Sequence, residues 1–195
     1  MSGSKVNYAA AFRGVDPTVV VASTQTLSKL HGERAATPGG LAQQITHWRR
    51  ARSLAAGRMP KVAGVSPKPR LIYTFERPMS GITPLTSKQV SDLRIFTGAY
   101  IIHAFTVPTV AGAISQTNMF DYRMANESHA TAPTHYGPPL SSVEIKLKDT
   151  ASHKNTDKPC PEGQLIVNGP AVAGGTATVE NMMKITDDNT LSYAQ

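Results

Sequence analysis

Between Arg70 and Ile102 the hydrophobic pattern changes period twice, and this constrains the fold more than any other feature of the chain. Leu71, Ile72, Tyr73, Thr74 and Phe75 form a compact β-prone run. Ser87 then offers an N-cap for a helix bearing Val90 and Leu93, Gly98 closes that helix, and Tyr100, Ile101 and Ile102 begin a second β run. Strands joined through a helix pair most readily in parallel, so the alternation predicts an α/β fold with a mostly parallel sheet flanked by helices.

The N-terminal third has the same alternation. After Pro17, the run Thr18, Val19, Val20, Val21 and Ala22 predicts a strand buried on both faces. Thr24 or Thr26 caps a following helix with Leu27 and Leu30 on one side and Gly32 at its end. Beyond the turn Thr37-Pro38-Gly39-Gly40, Leu41, Ile45 and Trp48 fall at the i, i+4, i+7 spacing of an apolar helical face. This helix is expected to run to about Gly57, with Arg49 and Arg52 on its polar side.

In the last third the period is two. Val143, Ile145 and Leu147 alternate with Glu144, Lys146 and Lys148, and Leu165, Ile166 and Val167 form the partner strand of an antiparallel hairpin region. Residues 150–161 between them read as a long loop or insertion. After Gly174 and Gly175 no element is predicted. The chain is expected to be one incomplete domain, 1–195: a strand-helix-helix part (1–69), an α/β part (70–130) and a β-hairpin part (131–195). No internal repeat is present.

The 195 residues, 40% hydrophobic, suffice for a real core. The net charge of +7 is unevenly placed. Residues 34–75 hold Arg34, Arg49, Arg50, Arg52, Arg58, Lys61, Lys68 and Arg70 and no acid, leaving twelve basic against thirteen acidic residues elsewhere. Such a segment can meet RNA, an anionic membrane or an acidic protein, or can simply be a solvated face. No apolar stretch is long enough to be a transmembrane segment, and residues 1–5 lack the layout of a signal peptide. With a single cysteine, Cys160, and therefore no internal disulfide, a reducing compartment is expected: cytoplasmic, or peripheral on an organelle membrane.

No phosphate-binding G-x-x-x-x-G-K-[ST] loop, G-x-S-x-G elbow or H-E-x-x-H helix occurs. The six histidines are scattered. His129 and His135 lie closest, and both read as surface or capping residues.

Three blocks, in order and spacing, resemble the adenylate-forming (AMP-binding) acyl-CoA synthetase superfamily. The most specific is His135-Tyr136-Gly137-Pro138-Pro139-Leu140, then Val143-Glu144-Ile145-Lys146-Leu147 with Asp149, then Pro161-Glu162-Gly163-Gln164-Leu165-Ile166-Val167-Asn168-Gly169-Pro170. It is similar to the G-x-P-x-P-x-x-E-x-K-L-x-D and E-G-E-L-x-x-R-G-P pair of that family, with Asn168 where Arg is common. Ser80-Gly81-Ile82-Thr83-Pro84-Leu85-Thr86 resembles the family's small-residue turn against adenine. His103-Ala104-Phe105-Thr106-Val107-Pro108-Thr109 sits where the family has Y-G-x-T-E. More faintly, residues 12–21 resemble an upstream strand.

The resemblance implies part of the large N-terminal domain of the adenylate-forming fold, with residues 70–130 on the adenine side. In that family a carboxylate and ATP give acyl-AMP, then a thioester with CoA. It implies adenine contacts at Gly81, Thr83, Pro84, Phe105 and Thr106. Magnesium binding is not expected, because matching Thr106 to the family's Thr puts Val107 at the magnesium-binding Glu, and matching Phe105 to its aromatic puts Thr109 there. The phosphate loop has no counterpart in residues 1–69, and Thr186-Asp187-Asp188-Asn189-Thr190-Leu191 is similar only to the approach to the ribose Asp. CoA enters by resemblance alone, no catalytic residue is assigned, and the chain by itself is expected to be inactive.

Overall fold

The computed structural model describes residues 15–35, 40–62, 69–77, 83–122, 131–150 and 160–194. The elements run β1 (Val19–Ser23), α1 (Thr24–Ala35), α2 (Leu41–Ala55), β2 (Leu71–Glu76), α3 (Ser87–Thr97), β3 (Tyr100–Thr106), β4 (Ala113–Gln116), β5 (Glu144–Lys148), β6 (Glu162–Asn168), β7 (Thr176–Ile185) and β8 (Leu191–Tyr193). They make two four-stranded sheets, ordered β1-β2-β3-β4 and β5-β6-β7-β8. The first is mixed and mostly parallel and the second antiparallel, as the period changes predict. Two compact units result, 1–74 with 85–101 and 119–132, and 75–84 with 102–118 and 133–195; the division passes through β2 and β3.

In the first unit, Leu27, Ile72, Leu85, Val90, Leu93 and Ile101 form the core. Three sequence expectations change here. β1 is buried on one face only: Val20 and Ala22 are buried, whereas Val19 and Val21 are 54% and 66% exposed. Val20 and Ala22 pack into the core of this unit, and the opposite face of β1 is left open. The cap of α1 is Ser23, whose Oγ accepts from the Thr26 amide at 3.4 Å, and the helix continues through Gly32 to Ala35. In α2, Leu41, Ile45 and Trp48 are 79%, 54% and 59% exposed, and only Leu54 is buried.

α3 is fixed at both ends. Thr86 rather than Ser87 is its cap: Thr86 Oγ1 accepts from the Gln89 amide, and the Gln89 side chain accepts from the Thr86 amide at 2.9 Å. Such a cap stabilises by about 1 kcal/mol. At the other end Gly98 takes the left-handed conformation (φ 65°), where a Cβ would lie 2.9 Å from the Pro60 carbonyl oxygen. Asp92 joins the three helices: its Oδ2 accepts from Lys88 Nζ and lies 3.0 Å from His31 Nε2, and its Oδ1 is 3.9 Å from His47 Nε2.

In the second unit β4, which the sequence pattern does not announce, pairs antiparallel with β3, with an irregularity between Phe105 and Thr106. The expected β5–β6 hairpin forms, pairing Ile145 with Val167 and Leu147 with Leu165. β7 and β8 extend it where no element was predicted. The cause lies in β7: its alternation buries Ala177 and Val179, then skips to Met183 where the register against β6 shifts between Gln164 and Ile166. The period-two signal is thereby broken. Phe105, Ile114, Tyr136, Leu165, Val167 and Met183 are all fully buried in this unit's core.

Candidate functional site

The block around Gly137 is held on two sides by backbone. The Tyr136 amide donates to the Leu191 carbonyl at 2.7 Å, and the Leu191 amide donates to the Gly137 carbonyl at 2.9 Å. The Leu140 amide donates to the Ile114 carbonyl, and Pro139 bridges to Ser115. Gly137 has φ 72°, and a Cβ there would fall 2.1 Å from the Gln116 carbonyl oxygen. Only glycine permits this approach of the turn to β4. The Gly137 amide donates to His135 Nδ1 at 3.2 Å, so His135 makes a local cap, as expected. His129 and His153 lie outside the described residues.

On β3, Phe105 is fully buried, its ring 5.0 Å from that of Tyr136 and edge-on to Tyr193 at 6.3 Å. The next side chain turns the other way: Thr106 Oγ1 donates to the Glu76 carbonyl at 3.0 Å. Val107 is buried, whereas Thr109 is exposed. The loop carrying them is clipped to the β6–β7 turn, with the Ala173 amide donating to the Thr109 carbonyl and the Ala111 amide to the Ala171 carbonyl, both at 2.8 Å. Thr83 is exposed and Pro84 half-buried, and Gly81 lies outside the described residues.

The resemblance puts Val107 or Thr109 where the family has its magnesium-binding Glu. A buried valine and an exposed threonine offer one neutral hydroxyl where a hard dication wants carboxylate oxygen. Among the described residues, no group of three or more His, Cys, Asp or Glu is gathered to hold a metal.

The structure also assembles a buried polar cluster. Glu76 and His103 are each 1% exposed, with His103 Nε2 3.5 Å from Glu76 Oε2. The His103 ring lies 4.7 Å from that of Tyr136. Tyr136 Oη is close to Glu76 and Tyr193 but makes no well-aligned hydrogen bond with either. The signal for Glu76 was available: Ile72, Thr74 and Glu76 share one face of β2, and all three are buried.

Burial, and then the negative charge of Glu76, hold the Tyr136 phenol well above its ordinary pKa; Tyr193 is raised by the same two causes. A raised folded-state pKa gives stability that is complete below the unfolded value near 10 and is lost as pH climbs toward the folded one. Stability should therefore fall above about pH 10, Tyr136 contributing up to about 1.4 kcal/mol per pH unit. Urea midpoints from pH 9 to 11.5 measure it (about 10 being the tyrosine reference), and Tyr136→Phe should flatten the slope. An unchanged slope in that variant would show that other groups cause the alkaline loss.

No protein-family model matches the chain. Fatty acyl-CoA synthetase A of Dictyostelium discoideum is 33% identical over 93 residues, which are 47% of this chain and 13% of that protein. Among solved structures, a benzoate CoA ligase from Burkholderia xenovorans is similar over 95% of this chain and 32% of its own (TM-score 0.56, 16% identity). O-succinylbenzoate coenzyme A synthetase from Bacillus subtilis, in complex with ATP and magnesium ion, is similar over 94% and 32% (TM-score 0.53, 14% identity). The chain thus spans about a third of the length of these structures. The resemblance read from the three blocks and the fold agree: the architecture matches a part of the adenylate-forming fold.

Proposed function

We propose that the chain is a portion of an AMP-forming acyl- or aryl-CoA ligase-like protein that keeps the nucleotide-side scaffold and lacks a magnesium centre. The observation that carries the reading is the clipped loop of residues 107–112, which presents Val107 inward and Thr109 outward and offers no carboxylate. Adenine nucleotide is then held weakly. The turn at Thr83 and Pro84, with Thr106 at the end of β3, supplies the contacts, and Phe105 supports them from within the core. Carboxylate and CoA remain ligands of the longer fold, and this polypeptide alone does not turn over.

Calorimetry with AMP and ATP tests this. Dissociation constants on the order of 1 mM are expected, the same with and without magnesium. In the family the Thr of the Y-G-x-T-E loop contacts phosphate, so Thr106→Val, which removes the hydroxyl matched to it, should weaken ATP more than adenosine. Magnesium-dependent tightening of about tenfold or more, worth about 1.4 kcal/mol, would overturn the proposal. So would ATP–pyrophosphate exchange above background with any fatty or aromatic acid.

A further inference from the structure

α2 buries Leu54 near its end and leaves its main apolar stripe in solvent. Its apolar residues Leu41, Ile45 and Trp48 lie on one stripe and are 79%, 54% and 59% exposed. On the opposite side Leu54 is buried and His47 and Arg50 are half-buried, lining with Arg34 and Phe96 an open cleft of about 310 Å³ against α3. A helix of a water-soluble protein ordinarily does the reverse. The outward stripe is not simply apolar. Arg52, expected on the polar side, places its guanidinium 5.6 Å from the Trp48 ring centre, and Arg49 is exposed one turn beyond Ile45. Just past the helix, Arg58 and Lys61 are also exposed. There is no acidic residue anywhere in 34–75 to offset them.

We propose that α2 is an interfacial helix, lying along an anionic lipid surface with Leu41, Ile45 and Trp48 immersed and Arg49 and Arg52 at headgroup depth. Modest overall hydrophobicity, one apolar stripe and flanking arginines are what such a helix requires. Tryptophan sits best where one side is apolar and the other wet, and arginine can lay its stem along the apolar layer while its charge stays at the phosphates. From Leu41 to Arg52 the stripe runs about 16 Å, a length that lies flat and does not cross. In fact no described helix is long and apolar enough to cross a membrane. A second copy of the chain is a poor occupant, because a two-fold pairing through this face would set one acid-free basic segment against another. RNA would satisfy the arginines but leave Leu41 and Ile45 in water.

Trp48 is the only tryptophan in the sequence, so its emission reports on this face alone. Adding vesicles of phosphatidylcholine with about one quarter phosphatidylglycerol should shift that emission to the blue, and brominated acyl chains should quench it. Phosphatidylcholine alone should do neither. Arg49→Glu with Arg52→Glu should lower partitioning by about tenfold or more. Leu41→Glu with Ile45→Glu should abolish the shift while leaving the far-ultraviolet circular dichroism unchanged, since both positions face solvent. The wild-type quenching decides the matter even if a variant fails to fold. The proposal is overturned if anionic vesicles leave the emission unmoved. It is equally overturned if a single-stranded RNA gives the shift and brominated vesicles give no quenching, or if the shift follows protein concentration without lipid.

Discussion

Gly137→Ala is expected to cost the protein on the order of 3–5 kcal/mol, enough to unfold a domain of ordinary marginal stability. Two effects add. The left-handed backbone at φ 72° disfavours alanine by about 1 kcal/mol, and the new methyl would stand 2.1 Å from the Gln116 carbonyl oxygen and 2.7 Å from Thr117 Cα. Both atoms belong to backbone, so no side chain can swing away. Gly174→Ala separates the two effects, because its φ is 75° yet nothing lies within 4 Å of an added Cβ. Urea unfolding followed by circular dichroism should find Gly174→Ala down by only about 1 kcal/mol. Equal losses in the two variants would refute the close approach of this turn to β4.

The second large effect is expected at Phe105. Its ring is fully enclosed against Tyr136 and Tyr193, so Phe105→Ala opens a cavity and should cost about 3–5 kcal/mol. Phe105→Leu refills most of the space and should lose far less. Measured on the folded fraction, AMP affinity should stay within about twofold in the leucine variant, well below the tenfold that 1.4 kcal/mol represents. If stability barely moves and AMP binding collapses, the ring is a ligand platform and the packing role is wrong.

These two residues also mark how far the sequence could be read. Gly137 and the next two strands, β5 and β6, were legible because period-two alternation with charged partners has few other solutions, and the observed register pairs Leu147 with Leu165. Gly98 was legible for a similar reason: a helix end in the left-handed conformation strongly favours glycine. Phe105 was harder. A motif match gives its place in a block, but burial depends on Tyr136 and Tyr193, which lie far along the chain.

The same non-locality hid the Glu76–His103 pair, where an acid and a base from different strands meet only once the sheet forms. α2 failed in a different way. Its helical period is plain in the sequence, but periodicity fixes which residues share a face and says nothing about what that face meets. β7 failed because one shift in register was enough to erase its alternation.

The two sheets also differ in how far apart along the chain their partners lie. In β5-β6-β7-β8 every strand pairs with its neighbour in sequence, so each step of assembly closes one loop. β1 meets β2 only after forty-seven intervening residues, Thr24 through Arg70, that include two helices. Closing the longer connection demands more chain entropy before any contact repays it. The C-terminal sheet is therefore the part whose topology lets it form early, and the mostly parallel sheet sets the pace of folding. The residues that carry the most specific resemblance, Gly137 through Gly169, thus lie in or beside the sheet whose topology favours early assembly.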